Sequence, residues 1–280
     1  MNETNNYKCV NCGENAAALY RTYGPSVLKL IKCGKCKGIV DKYIEYDPVI
    51  VMIDLVLVSR EAQRHILYNT EFKSFWKLVI ILIMLETYGV WRSDSLFNIA
   101  INSACSLENN STNLSIPINM SHVLPESWKV SCWAWAHEER SDEDNDLFIW
   151  EKDFYVQFMS MICGIMVFIA TAHLLIKLET PSSRQIKVPL MRVFKAFTLA
   201  DVSILFTLPM LVWGSDTSAD TRTFHFLLVH VYCFVVFLNV FTVIYERPML
   251  ITMLILIVSN VTKYITSFHA TAIFRRIFTY

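Results

Sequence analysis

The chain has 280 residues, of which 54% are hydrophobic and 13% aromatic. An ordinary soluble domain contains about 45–50% apolar residues, and the excess here falls in long blocks, so the composition argues against a soluble protein. The 25 Lys and Arg residues balance the 25 Asp and Glu residues, and the resulting zero net charge gives no support to a nucleic-acid partner.

Residues 1–47 carry two C-x2-C pairs, Cys9/Cys12 and Cys33/Cys36. Two such pairs at this separation are typical of a four-cysteine zinc site, in which each pair offers two thiolates to one tetrahedral ion. The apolar stretches on either side of Gly24-Pro25 predict short strands. The sequence therefore predicts a small zinc-ribbon-like β domain, called the head here, that holds one structural zinc ion.

Two other interpretations of the four cysteines are open. A disulfide or redox-active pair requires an oxidising compartment. A catalytic zinc ion requires an open coordination position, which four thiolates do not leave. Structural zinc is favoured, because so short a segment rarely builds a sufficient core without a crosslink.

The next segment, 48–75, begins with a strong helix signal. Asp47 offers a capping carboxylate and Pro48 suits the first helical position. The apolar run 49–58 is too short to cross a bilayer. Polar residues then follow at helical spacing, at Arg60, Glu61, Arg64 and His65. This pattern predicts one amphipathic helix over 48–69, lying in the membrane interface or buried between the head and the first span.

The cysteine pairs and two further motifs resemble the homology domain of the Arv family. The motifs are Asp41-Lys-Tyr-Ile-Glu-Tyr-Asp-Pro48 and Arg64-His-Ile-Leu-Tyr-Asn69, in the order that the family has. The likeness covers about residues 7–76. It makes the polar and aromatic motif residues candidates for positioning the head or contacting a lipid: Asp41, Tyr43, Glu45, Tyr46, Asp47, Pro48, Arg64, His65 and Asn69.

Arv proteins are endoplasmic-reticulum membrane proteins of sterol and sphingolipid homeostasis. The resemblance implies a zinc-binding head, several spans, and a part in moving or distributing sterols. It also implies links to sphingolipid metabolism and glycosylphosphatidylinositol synthesis. The partners implied are sterols, other membrane lipids and lipid-metabolic membrane proteins. The family supplies no catalytic residue, so we expect a protein that is not an enzyme.

Apolar segments in the rest of the chain predict an all-α polytopic membrane protein. The candidate spans are 76–92, 154–176, 196–213, 224–244 and a possible fifth over 249–268, followed by a tail at 269–280. The first is bracketed by Trp76 and Trp91, as an aromatic belt predicts, and its shortness suits a thin bilayer such as that of the endoplasmic reticulum.

Charge sets the predicted orientation. Residues 177–195 carry five basic side chains and one acidic, whereas residues 93–153 carry three basic and eleven acidic side chains. By the positive-inside rule, 177–195 is cytosolic, and 93–153 and the short loop 214–223 are luminal. The head is then cytosolic, where thiols stay reduced. The basic loop either binds anionic lipid head groups or only sets topology, and the second interpretation is slightly favoured.

The acidic loop also carries sites for luminal modification. Four clustered asparagines lie in glycosylation sequons: Asn109, Asn110, Asn113 and Asn119. Cys105 and Cys132 are available to form a disulfide. Both features agree with the orientation that the charges predict.

Five ionisable residues fall within apolar segments and are functional candidates on that ground: Glu86, His173, Asp201, His230 and Lys263. A His–Asp pair among them would suit a membrane-bound lipid-modifying enzyme with the zinc head as scaffold. The chain contains no H-E-x-x-H and no G-x-S-x-G motif. A non-enzymatic role in lipid homeostasis is therefore favoured over an enzyme, and a nucleic-acid-binding ribbon is the weakest alternative.

Overall fold

A computed structural model describes residues 7–24, 27–71, 73–92, 95–105, 126–136, 147–179, 188–213 and 218–278. The chain divides into two compact units. The first unit comprises Met1–Trp76, Ile186–Ser203 and Phe234–Thr252. The second comprises Lys77–Gln185, Ile204–Cys233 and Met253–Tyr280.

The head, in the first unit, is built from two short antiparallel hairpins. Strand β1 (Tyr7–Lys8) pairs with β2 (Asn15–Ala16), and β3 (Tyr20–Gly24) pairs with β4 (Val27–Leu30). A small core lies between the hairpins and consists of Cys9, Leu19, Cys33 and Val40. This is the zinc-ribbon-like arrangement that the sequence predicts.

The segment after the head is helical but broken. It contains α1 (Pro48–Val56), α2 (Arg60–Arg64) and a π-helical turn (His65–Asn69). The predicted single helix over 48–69 is wrong, because the backbone turns at Val58, which has a φ of 60°, a conformation that β-branched residues rarely adopt. The predicted start of the helix is confirmed, since Asp47 Oδ1 accepts a hydrogen bond from the Val49 amide at 2.8 Å.

Long helices make up the rest of the described chain. They are α3 (Phe75–Trp91), α4 (Leu96–Ala104), α5 (Glu126–Ala136), α6 (Leu147–Glu179), α7 (Leu190–Asp201), a 3-10 segment (Val202–Thr207), α8 (Leu208–Trp213), α9 (Ala219–Tyr245) and α10 (Met249–Phe278). The 3-10 segment lies where Pro209 lacks the amide proton that a regular helix would donate to Leu205.

Four helical segments within the described residues are long and apolar enough to cross a membrane: Glu151–Glu179, Leu190–Trp213, Thr221–Tyr245 and Met249–Phe278. They contain the predicted spans 154–176, 196–213, 224–244 and 249–268, and the last of these, the weakest in sequence, is a helix of 30 residues. The predicted first span, 76–92, corresponds to α3. With 17 residues, α3 is shorter than the four segments named above and is not one of them. The predicted fold class, an all-α polytopic membrane protein with a small β domain, is confirmed.

Within its described residues, the predicted polar loop 93–153 contains α4, α5 and the first two turns of α6, all in the second unit. Cys105, the residue after α4, forms a disulfide with Cys132 within α5. The Trp135 indole lies edge-on to Phe97, and Ser131 Oγ lies 2.9 Å from His269 Nδ1 of α10. The four sequon asparagines lie outside the described residues.

Candidate metal centre

The four head cysteines converge on one point. Their Sγ atoms all lie within 4.8 Å of one another, with 3.8 Å between Cys9 and Cys36 and 3.6 Å between Cys12 and Cys33. Tetrahedral zinc with Zn–S bonds of about 2.3 Å needs sulfur atoms about 3.8 Å apart, whereas a disulfide needs about 2.05 Å. The four thiols are free, so the arrangement fits a metal ion and not a pair of disulfides.

The same backbone turn presents both cysteine pairs. The Gly13 amide donates to the Cys9 carbonyl at 2.9 Å, and the Lys37 amide donates to the Cys33 carbonyl at 3.1 Å. Gly13 and Lys37 occupy matching positions in the two turns and both have positive φ, at 78° and 62°. Glycine adopts this conformation without steric cost. The turn between β1 and β2 and the turn enclosed by the Lys32–Ile39 bridge therefore form two similar knuckles, each offering two sulfur ligands.

The thiols differ in acidity before any metal binds. Hydrogen bonds from the Cys36 and Lys35 amides lower the pKa of Cys33 to about 6. Burial raises the pKa of Cys9 to about 12. At neutral pH Cys33 is therefore a thiolate, whereas Cys9 must release its proton when a metal binds, so metal affinity falls as the pH falls.

The chemistry of this donor set is structural. Four thiolates complete a tetrahedral shell and leave no position for water or substrate. Soft sulfur ligands in this geometry favour zinc over magnesium or calcium. Cys9, Cys12, Cys33 and Cys36 would hold such an ion, and its binding would stabilise the fold of the head.

Behind the metal centre, the two family motifs meet at Asp41, which is fully buried. Its Oδ1 accepts from the Tyr43 amide at 3.0 Å, and its Oδ2 accepts from His65 Nδ1 and Asn69 Nδ2, both at 2.7 Å. Asn69 also bonds both backbone groups of Lys8, each at 2.9 Å. One hydrogen-bonded network thus joins β1, the segment around Asp41 and Tyr43, and the π-helical turn.

Arg64 connects the second motif directly to the metal centre. Its Nη1 donates to the carbonyls of Val10 and Asn11, at 2.8 and 2.7 Å. These carbonyls belong to the turn between Cys9 and Cys12. Arg64 therefore holds the first knuckle from outside.

The other motif residues separate into three kinds. Tyr43 is buried and donates its hydroxyl to Asp54 Oδ2 at 2.7 Å, and burial, with this hydrogen bond, raises its pKa to about 12. Glu45 and Tyr46 are exposed, although the Tyr46 ring lies edge-on to Tyr43. Asp47 and Pro48 begin α1. Most of the motif is therefore a structural joint between head and helix.

Several residues of this joint escaped the sequence analysis. The Tyr68 ring lies between Lys8 Nζ and the Arg192 guanidinium, 4.6 and 4.7 Å from its centroid. Lys8 also forms an ion pair with Glu246 in the turn between α9 and α10. Asn239 of α9 donates to the Val58 carbonyl at 2.8 Å and accepts from Arg60 Nε at 2.9 Å. Asn239 was detectable in sequence as a polar residue inside a span; the others give no such signal.

In the second unit, two of the intramembrane candidates pair with each other. Lys263 Nζ lies 2.5 Å from Glu86 Oε1, and both side chains are about nine-tenths buried. A Cβ added at Gly164 of α6 would lie 3.0 Å from the Lys263 carbonyl, so α6 and α10 pack closely beside the pair. His230 lies near the Tyr264 ring, His173 belongs to α6, and Asp201 is a buried residue of the first unit.

The comparison with known families agrees with this geometry. A model of the Arv1-like family matches residues 8–237, which is most of the chain. The chain belongs to the Arv1-like family. The family match extends far beyond the 7–76 segment that carries the motif resemblance, so the α3–α9 region belongs to it as well.

Curated Arv1-like relatives occur in animals, plants and fungi. The chain is 46% identical over 85 residues to human Protein ARV1, covering 30% of this chain and 31% of the human protein. It is 37% identical over 89 residues to Protein ARV 1 of Arabidopsis thaliana, covering 29% and 36%. It is 30% identical over 154 residues to Protein ARV1 of Candida albicans, covering 39% and 52%.

These matches cover about a third to a half of the length of the curated Arv1 relatives. No solved structure matches the chain.

Proposed function

We propose that this Arv1-like protein acts in lipid homeostasis in the endoplasmic-reticulum membrane. In that role it mediates the intracellular distribution of sterols and influences sphingolipid metabolism and glycosylphosphatidylinositol synthesis. The observation that carries the proposal is the Arv1-like family match over residues 8–237, combined with four helices that can cross a membrane.

The residues of the head suit a positioning role in this function. A zinc ion held by the four cysteines would keep the two knuckles folded. Arg64 and the Asp41 network then fix those knuckles to the helical segment. The Lys8–Glu246 ion pair attaches the head to the end of α9. A head held in this way presents a rigid surface at one end of a membrane-spanning helix.

The alternative, a lipid-modifying enzyme, has weaker support. The four-thiolate centre leaves no ligand position for chemistry. Glu86, one of the acidic candidates within an apolar segment, is already paired with Lys263, and such pairing reduces the cost of burying both charges.

The functional test is rescue of sterol distribution in cells that lack the endogenous protein, normalised to the amount of protein expressed. The wild-type chain is expected to restore the distribution, and the purified full chain in lipid nanodiscs is expected to capture a photoreactive sterol. Turnover of a lipid by the same purified chain, without stable capture, would favour the enzyme instead.

We further propose that the head is cytosolic and that residues 93–153 are luminal. The charges of the loops support this orientation. It requires α3 to cross the bilayer, and its 17 residues, about 26 Å at 1.5 Å per residue, suit the thin bilayer of the endoplasmic reticulum.

The orientation predicts two results. Protease added to intact microsomes should digest the head, and endoglycosidase added after solubilisation in detergent should increase the electrophoretic mobility of the chain. Replacing the four sequon asparagines together by glutamine should abolish that mobility shift: Asn109, Asn110, Asn113 and Asn119. A head that is protected from protease until detergent is added would reverse the assignment.

A further inference from the structure

One face of α1 is apolar and exposed. Its outward residues are each between 43% and 72% exposed: Val49, Ile50, Met52, Ile53, Val56 and Leu57. At 3.6 residues per turn they form a continuous arc of roughly 160°. Val51 and Leu55, on the opposite side, pack with Tyr43 and Ala62. The helix therefore has one face against the head and one wide apolar face that the described protein leaves uncovered.

The single charged residue of α1 does not interrupt this face. Asp54 lies beside the arc, and its Oδ2 accepts a hydrogen bond from the Tyr43 hydroxyl at 2.7 Å. Tyr43 is itself buried in the head. The carboxylate is thus directed towards the head, and the outward face carries no charged side chain.

The turn that follows α1 is bonded to a fixed point along α9. Asn239 bonds the Val58 carbonyl and the Arg60 side chain, at 2.8 and 2.9 Å. The segment of α9 that is long and apolar enough to cross a membrane ends at Tyr245, six residues later, which corresponds to about 9 Å of helix rise. Interfacial helices bury their apolar face about 5–10 Å into the boundary between head groups and acyl chains. The spacing along α9 therefore matches the depth at which an interfacial helix lies.

We propose that α1 and the turn at 57–59 form a wedge that inserts into one leaflet of the bilayer, its apolar face contacting phospholipid acyl chains. Exposure of six adjacent large apolar side chains to water is unfavourable. The bilayer around the neighbouring helix α9 offers these side chains an apolar environment. The wedge does not cross the membrane, because α1 has nine residues, about 14 Å. It goes beyond the proposed function, since it is independent of which lipid the protein handles.

The wedge also gives the head a fixed height above the leaflet. Tyr43 and Asp54 couple α1 to the head, and Asn239 couples the following turn to α9. A head tied at both points cannot rise from the surface without extracting α1 from the lipid or breaking these hydrogen bonds.

The test uses the full chain in phosphatidylcholine nanodiscs, with an aliphatic diazirine amino acid incorporated at one position at a time. At Ile53 and Leu57, illumination is expected to give adducts with phospholipid acyl chains at least ten times more abundant than at Lys35, an exposed position on the head. At Val51, on the buried side of the same helix, the products should be intramolecular. Retained metal content shows that each labelled chain is folded.

Two outcomes would overturn the wedge. Lipid adducts at Ile53 and Leu57 no more abundant than at Lys35 would place the face in water. Adducts that join two copies of the chain would make it a protein interface. Neither outcome bears on sterol capture or rescue, so failure of the wedge and failure of the proposed function can be distinguished.

Discussion

Replacing Cys9 by serine is expected to abolish stoichiometric metal binding and to unfold the head. A structural zinc ion supplies about 10–16 kcal/mol of binding free energy that is also folding energy, which equals or exceeds the roughly 5–15 kcal/mol stability of a whole domain. Cys9 is one of four converging ligands and is completely buried, so the loss has no local compensation. Rescue of sterol distribution should fail as fully as with deletion of the head.

The measurement is elemental analysis of the purified full chain, together with amide hydrogen exchange in the head. The wild-type chain should hold one zinc ion. Cys163→Ser is the matched control, because Cys163 is a free cysteine of α6 far along the chain from the knuckles, and this variant should keep its metal. Undiminished metal content in Cys9→Ser would contradict the four-cysteine centre.

Replacing Asp41 by asparagine is expected to loosen the joint between head and helices while preserving side-chain size. Asparagine has one acceptor oxygen where aspartate has two, and its amide nitrogen would face the donors of His65 or Asn69. Each buried donor left without an acceptor costs about 1–3 kcal/mol. Amide exchange at Tyr43, whose N–H bonds Asp41, and at Lys8, whose N–H bonds Asn69, should accelerate about tenfold to a hundredfold.

The controls come from the same motif. Glu45→Gln alters an exposed side chain and should leave exchange unchanged throughout the head. Asp47→Ala removes a helix cap that contributes about 0.5–2 kcal/mol, so its effect should be confined to the start of α1. Protection at Lys8 and Tyr43 as strong in Asp41→Asn as in wild type would show that the network does not hold the joint.

The sequence alone determined the candidate metal centre and the apolar segments that could span a membrane. Cysteine spacing predicts a four-sulfur site because each C-x2-C turn can direct two sulfur ligands at one ion, and the structure brings together the four cysteines that the spacing selects. Long apolar blocks identify spans because bilayer thickness sets a minimum length. The Asp47–Pro48 helix start is equally local, since a cap involves only the next few residues.

Only the tertiary structure decided how these parts are joined. The break at Val58 was not predictable from the 48–69 pattern, because the side chain that bonds the Val58 carbonyl and Arg60 belongs to Asn239, about 180 residues later in the chain. The pairing of Glu86 with Lys263 and the meeting of Asp41 with His65 and Asn69 likewise depend on contacts between distant segments. Local patterns report which residues prefer a helix, a turn or a metal; they do not report which distant side chain completes a hydrogen bond, and that is why the joint appeared only in three dimensions.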